Sequence, residues 1–207
     1  CPEGGADAGG GRRRRTGGTV VAMGLPVILA SGSPQRREIL ERIGIEFEVV
    51  VSGVEEIVHG DPAEVVLANA LLKAREVARP GRLVIGCDTD VVLEGKVIGK
   101  PGDELRAHEY LAQLSGREHT VLSGLAVIGP DDSQERTGVA ESRVRFHELD
   151  IDRIEAYMAS GEWRGRAGGY AIQGRGSALV AGVEGDISNV IGLPVGLLLE
   201  IAPELAS

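Results

Sequence analysis

Short apolar runs alternate with amphipathic stretches along the chain, and this order predicts an α/β protein. Fully apolar runs, typical of buried strands, occur at 27–30 and 83–87. Phe47, Val49 and Val51 recur at every second position, as the buried face of a strand does. The same signals predict a hairpin at 91–98 around Glu94-Gly95 and strands at 121–128, 139–146 and 178–183.

Helix signals lie between these predicted strands. Ser33 supplies an N-cap, Pro34 follows it, and Gly44 ends the first helix. Asp61-Pro62-Ala63-Glu64 is a capping box that opens a long helix to about Arg79. Further helices are expected from Asp103, with Leu105, His108, Leu111 and Leu114 on one stripe, from Asp150 or Asp152 to Ala159, and from Pro194 to Ile201. Because the middle of the chain is rich in strands, a mixed sheet is favoured.

The first residues of the chain are rich in glycine and arginine and have no apolar face. We expect residues 1–22 to be a disordered tail, because such a sequence buries too little apolar surface to offset its ordering entropy. Residues 23–207 are expected to form a single domain. A signal peptide is the alternative, with Arg12–Arg15 as its charged region and Thr19–Ala30 as its apolar region. Met23 is an alternative start of the chain.

The composition is that of an ordinary globular protein, with 43% hydrophobic and 26% charged residues among 207. The formal net charge of −9 does not favour nucleic-acid binding, and no apolar run is long enough for a membrane span. Of the two cysteines, Cys1 lies in the tail and Cys87 in an apolar run, so we expect no disulfide framework and a cytoplasmic location. Only three of the 22 basic residues are lysines, and two of them, Lys73 and Lys100, lie beside polar segments described below.

Several familiar catalytic motifs are missing from the sequence. It has no G-x-x-x-x-G-K-[ST] phosphate loop, no complete dinucleotide fingerprint and no G-x-S-x-G nucleophile elbow. The four histidines are scattered without zinc-ligand spacing, so a zinc site is not expected. The candidate chemistry therefore lies in four other polar segments.

Two of these segments follow predicted buried strands. Ser31-Gly32-Ser33-Pro34-Gln35-Arg36-Arg37 leads into a helix, where free N–H groups and guanidinium groups form either an anion cradle or an ordinary N-cap with solvated arginines. Asp88-Thr89 directly follows Cys87. Because sites in α/β sheets gather at the carboxyl ends of strands, Asp88 is a candidate to hold Mg²⁺ or activate water, with a turn-initiating aspartate as the alternative.

The other two segments are less distinctive by themselves. Lys100-Pro101 follows the predicted hairpin, and Lys73 lies near the apolar edge of the long helix, where a snorkelling side chain is the simpler interpretation. Gly168-Gly169-Tyr170-Ala171-Ile172-Gln173-Gly174 lets backbone approach a flat ligand closely, or is a flexible loop. Gln173 offers the donor and the acceptor that a base edge requires.

Six stretches of the chain carry a family resemblance. They are LASGSPQRREIL, CDTDVVLEGKVIGKP, LSGREHTVLSGLAVI, RFHELD, AGGYAIQGRGS and GDISNVIGLPVGLL. In this order they resemble the motifs of the Maf family of nucleoside triphosphate pyrophosphatases, the first being similar to its opening S-x-S-P-R-R signature. The resemblance runs from about Leu25 to Leu199 and implies a mixed twisted sheet in a two-lobed, Maf/ITPase-like α/β fold with a central cleft.

The same resemblance implies a hydrolase that converts nucleoside triphosphates to the monophosphate and pyrophosphate with Mg²⁺ or Mn²⁺. Such enzymes remove non-standard or surplus nucleotides, often as homodimers, and the dTTP/UTP branch is the one implied here. By position, Asp88 matches the proposed proton acceptor of the family, and Glu56 matches an acidic position, with Glu55 as an equally close register. Glu56 and Asp88 are the expected metal ligands. The expected substrate-binding residues are Ser31, Arg36, Lys73 and Lys100 toward the phosphates, Thr89 and Gln173 toward the base, and Ser33 and Gln35 of the opening signature.

Two residues depart from the family pattern. Gln35 stands where the dTTP/UTP branch has Arg, so either base selection differs or Arg36 or Arg37 compensates. Asp90 stands where many relatives carry an apolar residue, and it either tunes the metal site or points to solvent.

Three functions are therefore distinguished. The first is a nucleoside triphosphate pyrophosphatase, acting on dTTP and UTP or on a 7-methyl-GTP-type substrate. The second is a nucleotide-binding regulatory protein, related to cell division, without turnover. The third is a phosphatase with another substrate. Asp88 together with Lys73 and Lys100 favours the first, because a protein that only binds nucleotide has no need of a carboxylate near phosphate.

Overall fold

The computed structural model describes residues 26–131 and 134–206. The predicted tail at 1–22 and the alternative start at Met23 lie outside these residues. The described residues form seven strands: β1 (Val27–Leu29), β2 (Phe47–Val49), β3 (Leu83–Leu93), β4 (Lys96–Ile98), β5 (Glu118–Ile128), β6 (Glu135–Phe146) and β7 (Val180–Glu184). They also form six α-helices: α1 (Pro34–Arg42), α2 (Pro62–Val77), α3 (Glu104–Leu114), α4 (Ile151–Met158), α5 (Ile187–Ile191) and α6 (Val195–Ile201). None of the helices in the described ranges is long and apolar enough to cross a membrane.

The strands form one mixed sheet. Their order is β2-β1-β3-β5-β6-β7, and β4 pairs with β3 beside this path. Strand β1 is parallel to both of its neighbours. The pairs β3–β5, β5–β6 and β6–β7 are antiparallel. The mixed α/β sheet predicted from the sequence is therefore confirmed, and the two long middle strands, β5 and β6, pair with each other.

Strand β3 is longer than the sequence predicted. The predicted strand ended at Cys87, but β3 continues to Leu93 and pairs Asp88 with Gly124 of β5. The polar residues stay in the sheet because the apolar residues 91–93 that follow them are buried and extend the strand. The prediction that Asp88 lies at the end of its strand is therefore wrong.

The predicted helix starts are in place. The side chains of Asp61, Asp103 and Asp150 each accept a hydrogen bond from a backbone N–H group in the first turn of α2, α3 and α4, respectively. Such bonds satisfy donors that a helix start otherwise leaves without a partner. Of the two alternatives given for α4, Asp150 rather than Asp152 is the N-cap.

Three other predictions need correction. Leu105 is 72% exposed, because it lies nine positions before the buried Leu114, about half a turn away around α3. Strand β7 begins at Val180 because a short 3₁₀ helix, Gly174–Leu179, precedes it. Helix α5 was not predicted, since five residues are too few to show a helical period.

Apolar side chains pack into cores toward both ends of the long strands. Strand β1 and the first half of β3 pack against α1 and α6 on one face and against α2 on the other. The second half of β3, with parts of β5 and β6, packs against α3 and α4. The two cores form two lobes that share β3 and β5, as expected for a two-lobed fold.

Helix α2 lies very close to the sheet, and two glycines permit this approach. A Cβ atom at Gly86 would come within 2.2 Å of the carbonyl oxygen of Ala70, and one at Gly124 within 2.1 Å of that of Val66. No residue other than glycine fits these positions without moving the helix. The close approach brings the side chains of α2 within reach of the polar residues that follow Gly86 on β3.

Candidate active site

A cleft opens where β1 and β2 end and β3 continues. Leu29, the last residue of β1, pairs with Ile85, so the second half of β3 extends beyond both shorter strands. The cleft has a volume of about 380 Å³. All ten candidate site residues line it: Ser31, Ser33, Gln35, Arg36, Glu56, Lys73, Asp88, Thr89, Lys100 and Gln173. Segments distant in the sequence thus meet at one place.

The connection from β1 to α1 forms one wall. Ser33 is the N-cap residue of α1, as predicted, but its hydroxyl donates a 3.0 Å hydrogen bond to Oε1 of Gln35 and makes no capping bond. The first turn of α1 contains no acidic residue. The Ser33 side chain therefore leaves the backbone N–H groups at the start of α1 uncapped. A helix N-terminus of this kind favours binding of an anion.

Arg36 is buried behind this wall and held by three hydrogen bonds. Its Nη1 donates to Oγ of Ser31 at 2.9 Å, and its Nη2 donates to Oγ1 of Thr89 at 3.1 Å. Its Nε donates to the carbonyl oxygen of Gly192 at 2.8 Å. The Thr89 hydroxyl also lies 2.8 Å from Oγ of the fully buried Ser123. The guanidinium is consequently fixed in one orientation.

The side chains of the two residues next to Arg36, Gln35 and Arg37, differ in position. Gln35 lines the cleft, whereas Arg37 is exposed and is not one of the lining residues. Of the two arginines that follow Gln35, Arg36 is therefore the one at the cleft. Lys100 reaches the rim from the connection between β4 and α3.

Lys73 lies between two carboxylates. Its Nζ donates to Oδ1 of Asp88 at 2.7 Å and is 2.5 Å from Oε1 of Glu56. The side chains of Lys73 and Asp88 are only 10% and 13% exposed, so Lys73 does not extend into solvent as a snorkelling lysine does. Of the two acidic residues left open by the sequence, Glu56 lines the cleft and Glu55 does not.

Asn69 is a site residue that the sequence analysis missed. Its Nδ2 donates to Oδ2 of Asp88 at 3.0 Å and to the carbonyl oxygen of Ile57 at 2.9 Å, while its Oδ1 accepts from the Ile57 N–H group at 2.8 Å. Asn69 therefore joins Asp88 to the segment that carries Glu56. The signal was present, since Asn69 precedes Lys73 by four residues and so lies on the same face of α2.

The two aspartates of β3 differ in their acidity. Burial raises the pKa of Asp88, but hydrogen bonds and charge from Lys73 and Asn69 more than offset it, so this pKa lies below its usual value. The Asp88 carboxylate is therefore ionised at neutral pH. Burial and the negative charges of Asp88 and Glu56 raise the pKa of Asp90 to about 6. The pKa of Asp90 therefore depends on the charges of the two cleft carboxylates, Asp88 and Glu56.

The glycine-rich segment forms the opposite wall and is anchored to the second lobe. The buried hydroxyl of Tyr170 lies 2.8 Å from Nε2 of His119, and the Ala171 N–H group donates to Oη of Tyr157 at 3.0 Å. Gln173 lines the cleft, and its side-chain amide has no hydrogen-bond partner among the described residues. This amide is accordingly available to a ligand.

The charge of the cleft differs in sign from that of the chain. Among the described residues, four cationic side chains line it, those of Arg36, Lys73, Lys100 and Arg166, against the two carboxylates of Glu56 and Asp88. An excess of two positive charges in a protein of net charge −9 attracts a polyanion to this one place. The fold and the cleft therefore define a mixed α/β protein with a cleft between two lobes whose charge suits an anionic ligand.

The chain belongs to the Maf-like protein family, whose model matches residues 26–205. It is 50% identical over 173 residues to a dTTP/UTP pyrophosphatase of Moorella thermoacetica, with 82% of this chain and 89% of the relative covered. It is 47% identical over 173 residues to a dTTP/UTP pyrophosphatase of Symbiobacterium thermophilum, with 82% and 88% covered. A dTTP/UTP pyrophosphatase of Deinococcus radiodurans is 46% identical over 178 residues, with 84% and 90% covered.

Proposed function

We propose that this protein is a nucleoside triphosphate pyrophosphatase that hydrolyses dTTP and UTP to the monophosphate and pyrophosphate. The observation that carries the proposal is the Asp88 carboxylate, held by Lys73 and Asn69 inside a cleft with an excess of positive charge. The names of the curated relatives supply the substrate class, and their matches cover most of both chains.

The cationic residues suit a triphosphate. A nucleoside triphosphate carries about four negative charges near neutral pH, and catalysis of phosphoryl transfer depends on positioning and on charge neutralisation. Arg36, Lys73 and Lys100, with the N-terminus of α1, line the cleft and supply positive charge. We assign the phosphate chain to these groups.

Asp88 is assigned as the proton acceptor for the attacking water. The water oxygen bonds to the α-phosphorus, the bond from this phosphorus to the bridging oxygen breaks, and pyrophosphate leaves with the electron pair. A triphosphate competes with Asp88 for the Lys73 ammonium group. Because burial acts to raise the pKa of Asp88, sharing of Lys73 with phosphate moves that pKa upward, toward the range that suits a general base.

Glu56 and Asp88 also suit a divalent cation. Mg²⁺ at nucleotide sites takes one or two carboxylates together with phosphate oxygens and water. The Glu56 and Asp88 carboxylates flank one nitrogen atom, Nζ of Lys73, and therefore face the same part of the cleft. Bound Mg²⁺ or Mn²⁺ would neutralise phosphate charge, and Glu56 and Asp88 are the residues that we assign to hold it.

The base is assigned to the wall formed by the glycine-rich segment. The unpartnered amide of Gln173 offers one acceptor and two donors, which match the O4 and N3–H edge of uracil or thymine. Thr89 remains a candidate for base selection, although its hydroxyl is engaged by Arg36 and Ser123. A purine triphosphate such as 7-methyl-GTP is the competing substrate. Among the described residues that line the cleft, none is specific for a purine.

Two further properties concern the assembly and the environment of the protein. Following the family resemblance, we propose a homodimer. Following the burial of Cys87 as a free thiol, we propose a reducing, cytoplasmic environment.

The decisive experiment is a panel of nucleoside triphosphates with Mg²⁺ or Mn²⁺, in which pyrophosphate and orthophosphate are quantified separately. We expect pyrophosphate and the monophosphate as products, with dTTP and UTP as the best substrates and no turnover in EDTA. Orthophosphate as the first product would indicate a phosphatase. Nucleotide binding without turnover would indicate a regulatory protein.

The variant Asp88→Asn tests the assignment of the proton acceptor. We expect kcat to fall by about 10²–10⁴-fold, the usual effect of losing a positioned acid–base group. Asp152→Asn is the matched control, because Asp152 is exposed on α4. Near-normal turnover by Asp88→Asn would contradict the assignment.

A further inference from the structure

Glu162 holds the backbone that follows Gln173. Its Oε1 accepts a hydrogen bond from the Arg175 N–H group and its Oε2 accepts one from the Gly176 N–H group, both at 3.1 Å. These N–H groups begin the short 3₁₀ helix Gly174–Leu179. A single carboxylate therefore satisfies two consecutive donors that a helix start otherwise leaves without a partner.

The local backbone is shaped to admit this carboxylate. Gly174 has φ +64°, and a Cβ atom there would come within 2.7 Å of Oε1 of Glu162. A side chain at this position would collide with the carboxylate. The same turn folds back tightly on itself, since a Cβ atom at Gly176 would lie only 1.8 Å from the carbonyl oxygen of Ala171.

The backbone is consequently held by hydrogen bonds on both sides of Gln173. On its N-terminal side, the Ala171 N–H group donates to Oη of Tyr157, and on its C-terminal side the next residues bind Glu162. Glu162 lies in the turn that follows α4, where its N–H group donates to Oγ of Ser160 at 3.2 Å. Both anchors thus come from α4 and the residues just after it, behind the cleft wall.

We propose that Glu162 is a positioning residue for base selection, which sets the orientation of Gln173 toward the base of the bound nucleotide. This inference rests on the proposed function for its substrate. Glu162 does not touch the nucleotide in this scheme, and it acts through the backbone of residues 174–176. The free energy of a hydrogen bond to the base depends on its geometry, so release of this backbone weakens discrimination between bases.

The test compares Glu162→Ala and Glu162→Gln with the wild type. We measure kcat/KM for dTTP and dGTP, and the binding of dTMP and dGMP by calorimetry. Loss of one well-oriented hydrogen bond corresponds to about tenfold, so Glu162→Ala is expected to reduce the preference for the pyrimidine by about that factor. The loss should fall on KM for dTTP rather than on kcat. Glu162→Gln keeps one oxygen acceptor and should lose less.

Glu155→Ala is the matched control. Glu155 lies on α4, just before the turn that carries Glu162, its exposed side chain pairs with His108, and it is not a cleft residue. Amide hydrogen exchange provides a readout independent of activity, with faster exchange expected at 174–176 in Glu162→Ala and unchanged exchange in Glu155→Ala.

Each outcome decides the proposal. Unchanged base preference in Glu162→Ala, or equal losses for pyrimidine and purine, would overturn it and leave Glu162 a purely structural residue. Absence of any base preference in the wild type, in both binding and turnover, would also overturn it. If the wild type prefers dTMP in binding but releases no pyrophosphate from dTTP, the proposed function fails, while a loss of that binding preference in Glu162→Ala still supports the inference.

Discussion

Removal of the Lys73 ammonium group is the sharpest test of how this cleft is held together. In Lys73→Met the volume of the side chain is largely retained, but the carboxylates of Asp88 and Glu56 lose the cation between them. The Asp88 side chain is 13% exposed, so water screens it poorly, whereas the Glu56 side chain is 46% exposed and is screened much better. Asp88 therefore dominates the cost.

The magnitude follows from the burial of the pair. Loss of one partner of a buried ion pair costs about 3–5 kcal/mol in the free energy of unfolding, because it leaves a charge without compensation. For a protein of this size that corresponds to a decrease in Tm of about 6–20 °C. Lys96→Met is the matched control, since Lys96 is exposed on β4, and its effect should stay within about 0.5 kcal/mol.

The effect must also depend on pH. In the wild type the lowered pKa of Asp88 contributes stability that is present above about pH 4, and this stability is lost as pH falls through the pKa of the folded state. In Lys73→Met, the largest influence that opposes burial is gone and only the Asn69 hydrogen bond and the Arg36 charge remain, so this pKa rises and the variant regains stability by binding a proton as pH decreases. Urea unfolding at pH 8 and pH 4.5, in EDTA, should show a gap between the two proteins that narrows toward acid. A gap below about 1 kcal/mol at pH 8, or one independent of pH, would refute this account of the cleft.

Three further predictions concern base selection and acidity. Gln35→Arg should increase the ratio of kcat/KM for dTTP over dGTP, because a guanidinium is a fixed planar donor, and an unchanged ratio would exclude Gln35 from base selection. Asp90 has its pKa raised to about 6, so the folded state loses stability as pH rises from about 4 to 6. Asp90→Asn should therefore stabilise the protein by about 1–2 kcal/mol at pH 8 in EDTA, after allowance for solvent screening, and give no gain at pH 4; equal urea midpoints of variant and wild type at pH 8 would contradict this. Burial lowers the pKa of His119 to about 4, so the wild type loses stability as pH falls from about 6.5 to 4. The double variant His119→Phe/Tyr170→Phe, which also removes the hydroxyl that would lose its partner, should show a shallower acid-side decrease in Tm, and an unchanged slope would argue that His119 does not titrate in this range.

Local pattern determined most of the secondary structure. A strand or helix that packs on one face must carry apolar residues at a period of two or about 3.6. The buried face is therefore recognisable in the sequence wherever the element is long enough. Caps such as Asp61 and Asp103 were readable for the same reason, since they bind donors within three residues. Helix α5, with five residues, was too short to leave such a pattern.

The prediction from local pattern failed at Asp88 because the interactions that keep Asp88 within the strand are not local. A charged residue in an apolar run signals the end of a strand, unless something outside the strand compensates for its burial. Lys73 and Asn69 provide that compensation from α2, 15 and 19 residues away in sequence. Glycine at positions 86 and 124 lets the helix approach closely enough for these contacts, and no property of the strand itself reveals this.

The sequence identified candidate residues for the chemistry, whereas their positions relative to one another came from the tertiary structure. Ser31, Asp88, Lys100 and Gln173 were recognisable as candidates, because polar groups in apolar or glycine-rich surroundings stand out. That Glu56 rather than Glu55 faces Lys73 follows only from the path of a segment without regular structure. The carboxylate of Glu162 behind Gln173 was equally hidden, since its partners are backbone N–H groups, which every residue except proline possesses and which only the folded chain distinguishes.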